Sequence, residues 1–199
     1  MAAVLAAALV AAAGLLHFVP RTPELGACRH PGAFPAPAAE PPTVTQRPEG
    51  VPNGAQPALV VRVVDGDGIC IRPAGPGPLP GGRIHEVRLI GINAPGKGAC
   101  GSDQAAGFAR RRIGEGSTVW ISADAQDRDR YGRFLRYAWD GEGESFNVAA
   151  VRQGYARALP KPPNTRHAGE IEGAEAAARR DGTGVWRCLP WRLLRWLPA

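Results

Sequence analysis

Ten of the chain's 20 prolines fall between Pro20 and Pro57, and that concentration limits the fold more than any other feature. Proline fixes φ and lacks the amide donor that helices and central strands require. Residues 20–57 therefore read as an extended, partly polyproline spacer without regular elements. The foldable remainder is residues 58–188, close to the commonest size for one domain. Ahead of the spacer, residues 2–19 are apolar except for His17. As a helix they would span about 27 Å, the lower edge for crossing a bilayer. Residues 1–19 read as a secretory signal or an uncleaved membrane anchor, although no Lys or Arg precedes the apolar run. On either reading the chain is exported. Leu25-Gly26-Ala27-Cys28 looks like a lipoprotein processing box, but Arg21 and Glu24 separate it from the apolar run. Residues 189–199 form a basic and aromatic tail, too short for a stable lone helix and expected to pack back on the domain.

Within residues 58–188 the pattern is of short strands. The β-branched run 58–64 ends at Asp65-Gly66-Asp67-Gly68, a strong turn signal, and residues 69–72 continue as a second strand. After a loop of prolines and glycines, 85–90 reads as a third. Ser102 is positioned to cap a helix over 103–113, where Ala105, Phe108, Ala109 and Ile113 share one face. Strands are expected at 118–122 and 134–139. Ser145 can cap a helix running to Gln153 and stopped by Gly154, and a third helix spans 168–180 with Ile171, Ala174 and Ala178 at helical spacing. The order βββαββαα makes the domain α+β, mainly β with helices. Its expected form is a five-stranded OB-type barrel with three helices, since closure hides the strand edges.

Charge and cysteines narrow the class. The formal net charge is +6, and 22 of the 24 basic residues are arginine. An Arg-rich domain suits planar, bidentate recognition of phosphate. A GC-rich genome, which favours Arg and Ala codons, produces the same composition. The apolar share of 44% excludes wholesale disorder. The four cysteines, Cys28, Cys70, Cys100 and Cys188, include no C-x-x-C pair, which argues against a sulfur-bound metal. In an exported chain a disulfide is the natural alternative. Cys100 and Cys188, both read as lying in non-core contexts, are expected to pair, whereas Cys70 in its apolar strand is expected to be a small buried residue.

Five strings in one order carry a resemblance. They are Val64-Asp65-Gly66-Asp67, Val87-Arg88-Leu89-Ile90-Gly91-Ile92-Asn93-Ala94-Pro95, Asp127-Arg128-Asp129-Arg130-Tyr131-Gly132-Arg133, Val151-Arg152-Gln153-Gly154-Tyr155-Ala156 and Gly184-Val185-Trp186. Together they resemble the staphylococcal nuclease-like (thermonuclease) family over nearly all of residues 58–188. The resemblance implies an OB-type barrel, hydrolysis of DNA and RNA phosphodiesters, and calcium as cofactor. By that likeness Arg88 and Arg133 match the catalytic arginines, and Asp67 matches a calcium ligand. The chemistry accounts for these types. A phosphodiester gains charge in the transition state, so two guanidiniums stabilise it. Calcium takes hard oxygen ligands.

The sequence departs from the family at the metal and the base. Aspartate and threonine before the proline are replaced by Asn93 and Ala94, and the water-activating glutamate after it by Gly96. Gly68 stands in place of a threonine, and the tyrosine pair that packs on a nucleotide is not evident in residues 158–164. Asn93 still offers an amide oxygen to a cation. Losing a general base costs about 10²–10⁴ in rate, so turnover should be weak. Blander readings stay open. Asp65 and Asp67 can simply make an Asx turn, Arg88 can pair with Glu86, and Arg133 can pair within its own loop, where Asp127 and Asp129 are close. Arg110-Arg111-Arg112 reads as a solvated helix face, and His85 and His167 as ordinary polar residues. The competing functions are an exported, weakened nuclease, a non-catalytic nucleic-acid- or phosphate-binding OB module, and a structural interaction domain.

Overall fold

The computed structural model describes Cys28 and residues 46–188. Seven strands and three helices follow in the order β1 (Gln56–Val63), β2 (Gly68–Pro73), β3 (His85–Leu89), β4 (Gly91–Asn93), α1 (Ser102–Arg112), β5 (Thr118–Ser122), β6 (Phe134–Trp139), α2 (Phe146–Arg152), β7 (Arg157–Leu159) and α3 (Ala168–Asp181), with a 3-10 turn at Gly184–Arg187. Five strands close a barrel in the order β1-β2-β3-β6-β5, as the strand count and the resemblance imply. β1, β2 and β3 form an antiparallel meander, and a register shift between Val60 and Arg62 bends β1. β3 and β6 pair in parallel, with Arg88 opposite Leu135, and β5 pairs antiparallel with both β6 and β1.

β1 begins two residues ahead of the expected start, and Val51 and Ala55 are buried in the core, so the folded chain reaches back into the proline-rich segment. The barrel interior holds Ile69, Ile71, Val87, Leu89, Ile121 and Ala138, all essentially without solvent contact. α1 buries Ala105, Phe108 and Ala109, the expected face, and Phe108 stacks on Phe146 of α2 and on Tyr155. Its N-cap is Gly101 rather than Ser102, which forms the first turn, and no side chain caps it. Ser145 does cap α2, its Oγ accepting the Val148 amide at 3.4 Å. α3 buries Ile171, Ala174 and Ala178 and ends at Gly182.

β4 and β7 lie outside the expected set. Only three residues each, they pair antiparallel beside the barrel, with Gly91 opposite Leu159 and Asn93 opposite Arg157. Gly91 makes the break between β3 and β4: its φ is +77°, and a Cβ there would lie 2.7 Å from Ile171 Cδ1. The chain thus turns out of the barrel while α3 packs directly on the bend.

Two disulfides fasten the ends. Cys100 bonds Cys188 across a Cα–Cα distance of 6.2 Å, as expected. Cys70 corrects the reading of a free buried thiol: it bonds Cys28. That bond occupies the sulfur a lipoprotein processing box would have lipidated. Among the described residues no helix is long and apolar enough to cross a membrane. Residues 1–19, the remaining spacer up to 45 apart from Cys28, and residues 189–199 lie outside the described residues.

Candidate active site

The β1–β2 turn is an Asx turn, as its blander reading held: Asp65 Oδ1 accepts the Asp67 amide at 3.0 Å. The turn also aims Asp67 inward, to 7% exposure, where its Oδ2 accepts the Ala94 amide at 2.6 Å. Arg88, opposite Gly68 in the β2–β3 ladder, brings Nη2 to 3.1 Å from the same oxygen. Its ion pair is therefore with Asp67. Nη2 also donates to Ile92 O at 2.9 Å and lies 3.4 Å from Asn93 Oδ1, while Nη1 donates to Leu89 O. Burial is the largest influence on both groups. It pushes the Asp67 carboxyl up to about 6 against the pull of Arg88 and the Ala94 amide, and it lowers the Arg88 guanidinium against the pull of Asp67.

Arg133 ends the loop between β5 and β6. Gly132, at φ +85°, supplies the left-handed turn that presents it. Its side chain is held by Asp129, whose Oδ2 lies 2.8 Å from both Nε and Nη2. The loop is pinned at its base by Asp127, which takes the Leu135 amide at 2.8 Å on its carbonyl and the buried Arg136 at 2.6 Å on its carboxylate. Across the opening, Asn164 Oδ1 accepts the Gln126 amide at 2.7 Å and its Nδ2 donates to Gln126 O at 3.1 Å.

These elements surround an open depression of about 380 Å³, lined by Arg88, Arg133, Asp129, Tyr131, Leu159 and Lys161 among others. The structure thus brings Arg88 and Arg133 to one surface, places Asp67 behind Arg88, and leaves Asn93 exposed beside it. Around Gly96 a Cβ would meet no heavy atom within 4 Å.

Asp129, close enough in the loop to pair with Arg133, does so and is a carboxylate of the depression. Sequence reasoning missed two residues here. Leu159 and Tyr131, exposed by 47% and 57%, are the exposed large apolar side chains among the described residues, and both line it. Elsewhere, Arg110 and Arg111 are solvated as expected, whereas Arg112 pairs with Asp140 at 2.6 Å and with Glu144. His85 and His167 make ordinary polar and aromatic contacts, to Pro80 O and to the Tyr137 and Trp139 rings.

The family described as "Staphylococcal nuclease homologue" matches residues 86–188. The chain is 33% identical over 140 residues to the Thermonuclease of Staphylococcus intermedius, covering 64% of this chain and 74% of that one. It is 31% identical over 139 residues to the Thermonuclease of Staphylococcus hyicus, covering 64% and 73%. A third likeness, 26% over 147 residues, is to Endonuclease YhcR of Bacillus subtilis strain 168, of which the chain covers 12%. The matched stretch carries both arginines, the loop that presents Arg133 and the helices that cover the barrel, and the chain belongs to the staphylococcal nuclease homologue family.

Proposed function

We propose that this chain is an exported nuclease of that family, in which residues 58–188 bind nucleic-acid phosphate through Arg88 and Arg133 and hydrolyse it slowly. The observation that carries the reading is the placement of both guanidiniums on one depression. Two such groups around a phosphodiester stabilise the negative charge that grows as water attacks, and the low-dielectric wall behind Arg88 strengthens that effect. Lys161 and Arg130, also on the rim, add positive potential for the strand's flanking phosphates.

The residues present offer calcium a sparse set of oxygens, two of them already facing Arg88. Asp67 and Asn93 would hold it, supported by the nearby charge of Asp65, and among the described residues no three His, Cys, Asp or Glu side chains gather into a metal cluster. When bound, calcium supplies charge neutralisation at the phosphate. No carboxylate stands where Gly96 does, so the attacking water lacks its base, and turnover should be lowered by about 10²-fold or more. Export is supported by the apolar residues 2–19 and by two disulfides, and a retained apolar segment would anchor the chain to the membrane.

The second reading, a binding module without turnover, is favoured by the same vacancy at Gly96. A calcium-dependent cleavage assay on single-stranded DNA separates the two. Slow cleavage that disappears in Arg88→Ala supports the nuclease. Salt-sensitive binding without cleavage supports the module, and wild-type cleavage in Arg88→Ala refutes the site.

A further inference from the structure

We infer that Asp129 is a positioning residue, setting the geometry in which Arg133 meets a phosphate. The inference rests on the reading of Arg88 and Arg133 as a phosphate clamp. Four donors converge on this one carboxylate. Oδ1 accepts the amides of Tyr131 at 2.9 Å and of Arg133 at 3.0 Å, and Oδ2 receives Nε and Nη2 of Arg133, both at 2.8 Å. The backbone closes on the same residue: the Gly132 amide donates to Asp129 O, and the Asp129 amide to Arg133 O, each at 3.1 Å. One side chain therefore folds the loop and orients the guanidinium at its end. A guanidinium has five N–H donors in a fixed plane. With Nε and one edge of Nη2 turned to Asp129, Nη1 and the outer Nη2 proton remain for an anion.

The cost of the arrangement shows what it is for. A carboxylate in the depression repels the phosphate that Arg133 is there to attract. Loop closure alone needs only Oδ1, so the second oxygen serves the guanidinium. Arg88 is held comparably, by Leu89 O, Ile92 O, Asn93 Oδ1 and Asp67. Both arms of the clamp are thus fixed before substrate arrives, and a displacement of order 1 Å at such a group costs up to about 10²-fold in rate.

Asp129→Asn separates the two duties. The amide oxygen can still accept the Tyr131 and Arg133 amides, while Nδ2 presents a donor to a donor and releases the guanidinium. The experiment measures kcat and KM of the full chain on single-stranded DNA with calcium, and binding of a fluorescent oligonucleotide without calcium. The melting temperature and the Arg133 Nε–Hε resonance are followed alongside. The expected result for Asp129→Asn is a kcat at least about 10-fold lower, oligonucleotide affinity unchanged or tighter, an unchanged melting temperature, and a displaced Nε–Hε signal. Should turnover be too slow to divide, the resonance and the binding decide. An unmoved Nε–Hε signal, or wild-type kcat, overturns the inference. So does a parallel fall of kcat, affinity and melting temperature, which marks a merely structural residue. Arg88→Ala is run beside it. Loss of binding there with no effect of Asp129→Asn defeats this inference alone, whereas wild-type behaviour of Arg88→Ala defeats the site itself.

Discussion

Asp67 is asked to stay charged in a place that disfavours charge. Its carboxyl titrates at about 6 in the folded chain against 3.8 ordinarily, because burial outweighs Arg88 and the Ala94 amide. Between those two values the folded state keeps a proton that the unfolded state has released. Stability contributed by this group is therefore present at the acid end and lost as pH rises through about 6. Chemical denaturation with a chelator present should show the loss, at most about 3 kcal/mol, and Asp67→Asn should flatten it. An unaltered pH profile in Asp67→Asn would place the titration elsewhere. Gly96 makes a second prediction. Its surroundings leave room for a side chain, and its φ lies outside the left-handed region. Gly96→Glu with Asn93→Asp should therefore fold, bind calcium more tightly by calorimetry, and raise cleavage by about 10²-fold, the usual worth of a general base. No gain in cleavage from a folded double variant would mean that these positions do not govern turnover. Arg88, Arg133, Asn93 and Gly96 were legible as candidates because each sits in or beside a short string of the resemblance. Asp129 was legible as a loop partner of Arg133, but its hold on the Tyr131 and Arg133 amides was not, because that depends on how residues 129–133 close upon themselves.

What an element contributes depends on who its neighbours are, and Asn147 of α2 shows it. The side chain is fully buried, its Oδ1 accepting the Ala138 amide of β6 at 2.9 Å and its Nδ2 donating to Ile90 O at 2.8 Å. It joins α2 to the barrel beside the bend between β3 and β4, the bend that leads from Arg88 to Asn93. Asn147→Ala strands two buried backbone groups, so it should lower stability by about 2–4 kcal/mol in urea melts. It should weaken phosphate binding too, by loosening that bend, and a variant as stable as the wild type would show water replacing both bonds. The helix itself was readable from Ser145 and Gly154, and the five barrel strands from short apolar or partly alternating runs between turn and loop signals. β4 and β7 were not. Three residues hold too little periodicity to register, and their pairing spans Gly91 to Leu159, a tertiary fact. The cap of α1 failed for a related reason: Ser102 is the right residue type, but the disulfide at Cys100 and the turn at Gly101 start the helix one residue early.

Across the whole molecule, covalent links close the fold at both ends of the barrel domain. Cys100–Cys188 spans 88 residues and Cys28–Cys70 spans 42. Four cysteines allow three pairings, and local context picked out only one bond, since no local pattern could tie Cys28 in the proline-rich segment to a barrel strand. The longer link joins the loop after Pro95 to the end of the 3-10 turn, where a Cβ on Gly101 would lie 3.2 Å from Val185 and 3.6 Å from Pro95. It therefore holds the C-terminal turn against the loop that contains Gly96, at the edge of the candidate site. On a chain-entropy account, closing a loop of that length removes roughly 4–5 kcal/mol of freedom from the unfolded state. Cys100→Ser with Cys188→Ser should thus lower the melting temperature by about 10 °C or more, and full reduction should lower it further as Cys28–Cys70 opens. Phosphate binding measured well below the transition should change little, because Arg88 and Arg133 are oriented by hydrogen bonds and not by sulfur. A melting temperature indifferent to both treatments would mean that the barrel stands without its links. Binding lost at low temperature would instead make the longer bond part of the site's own scaffold.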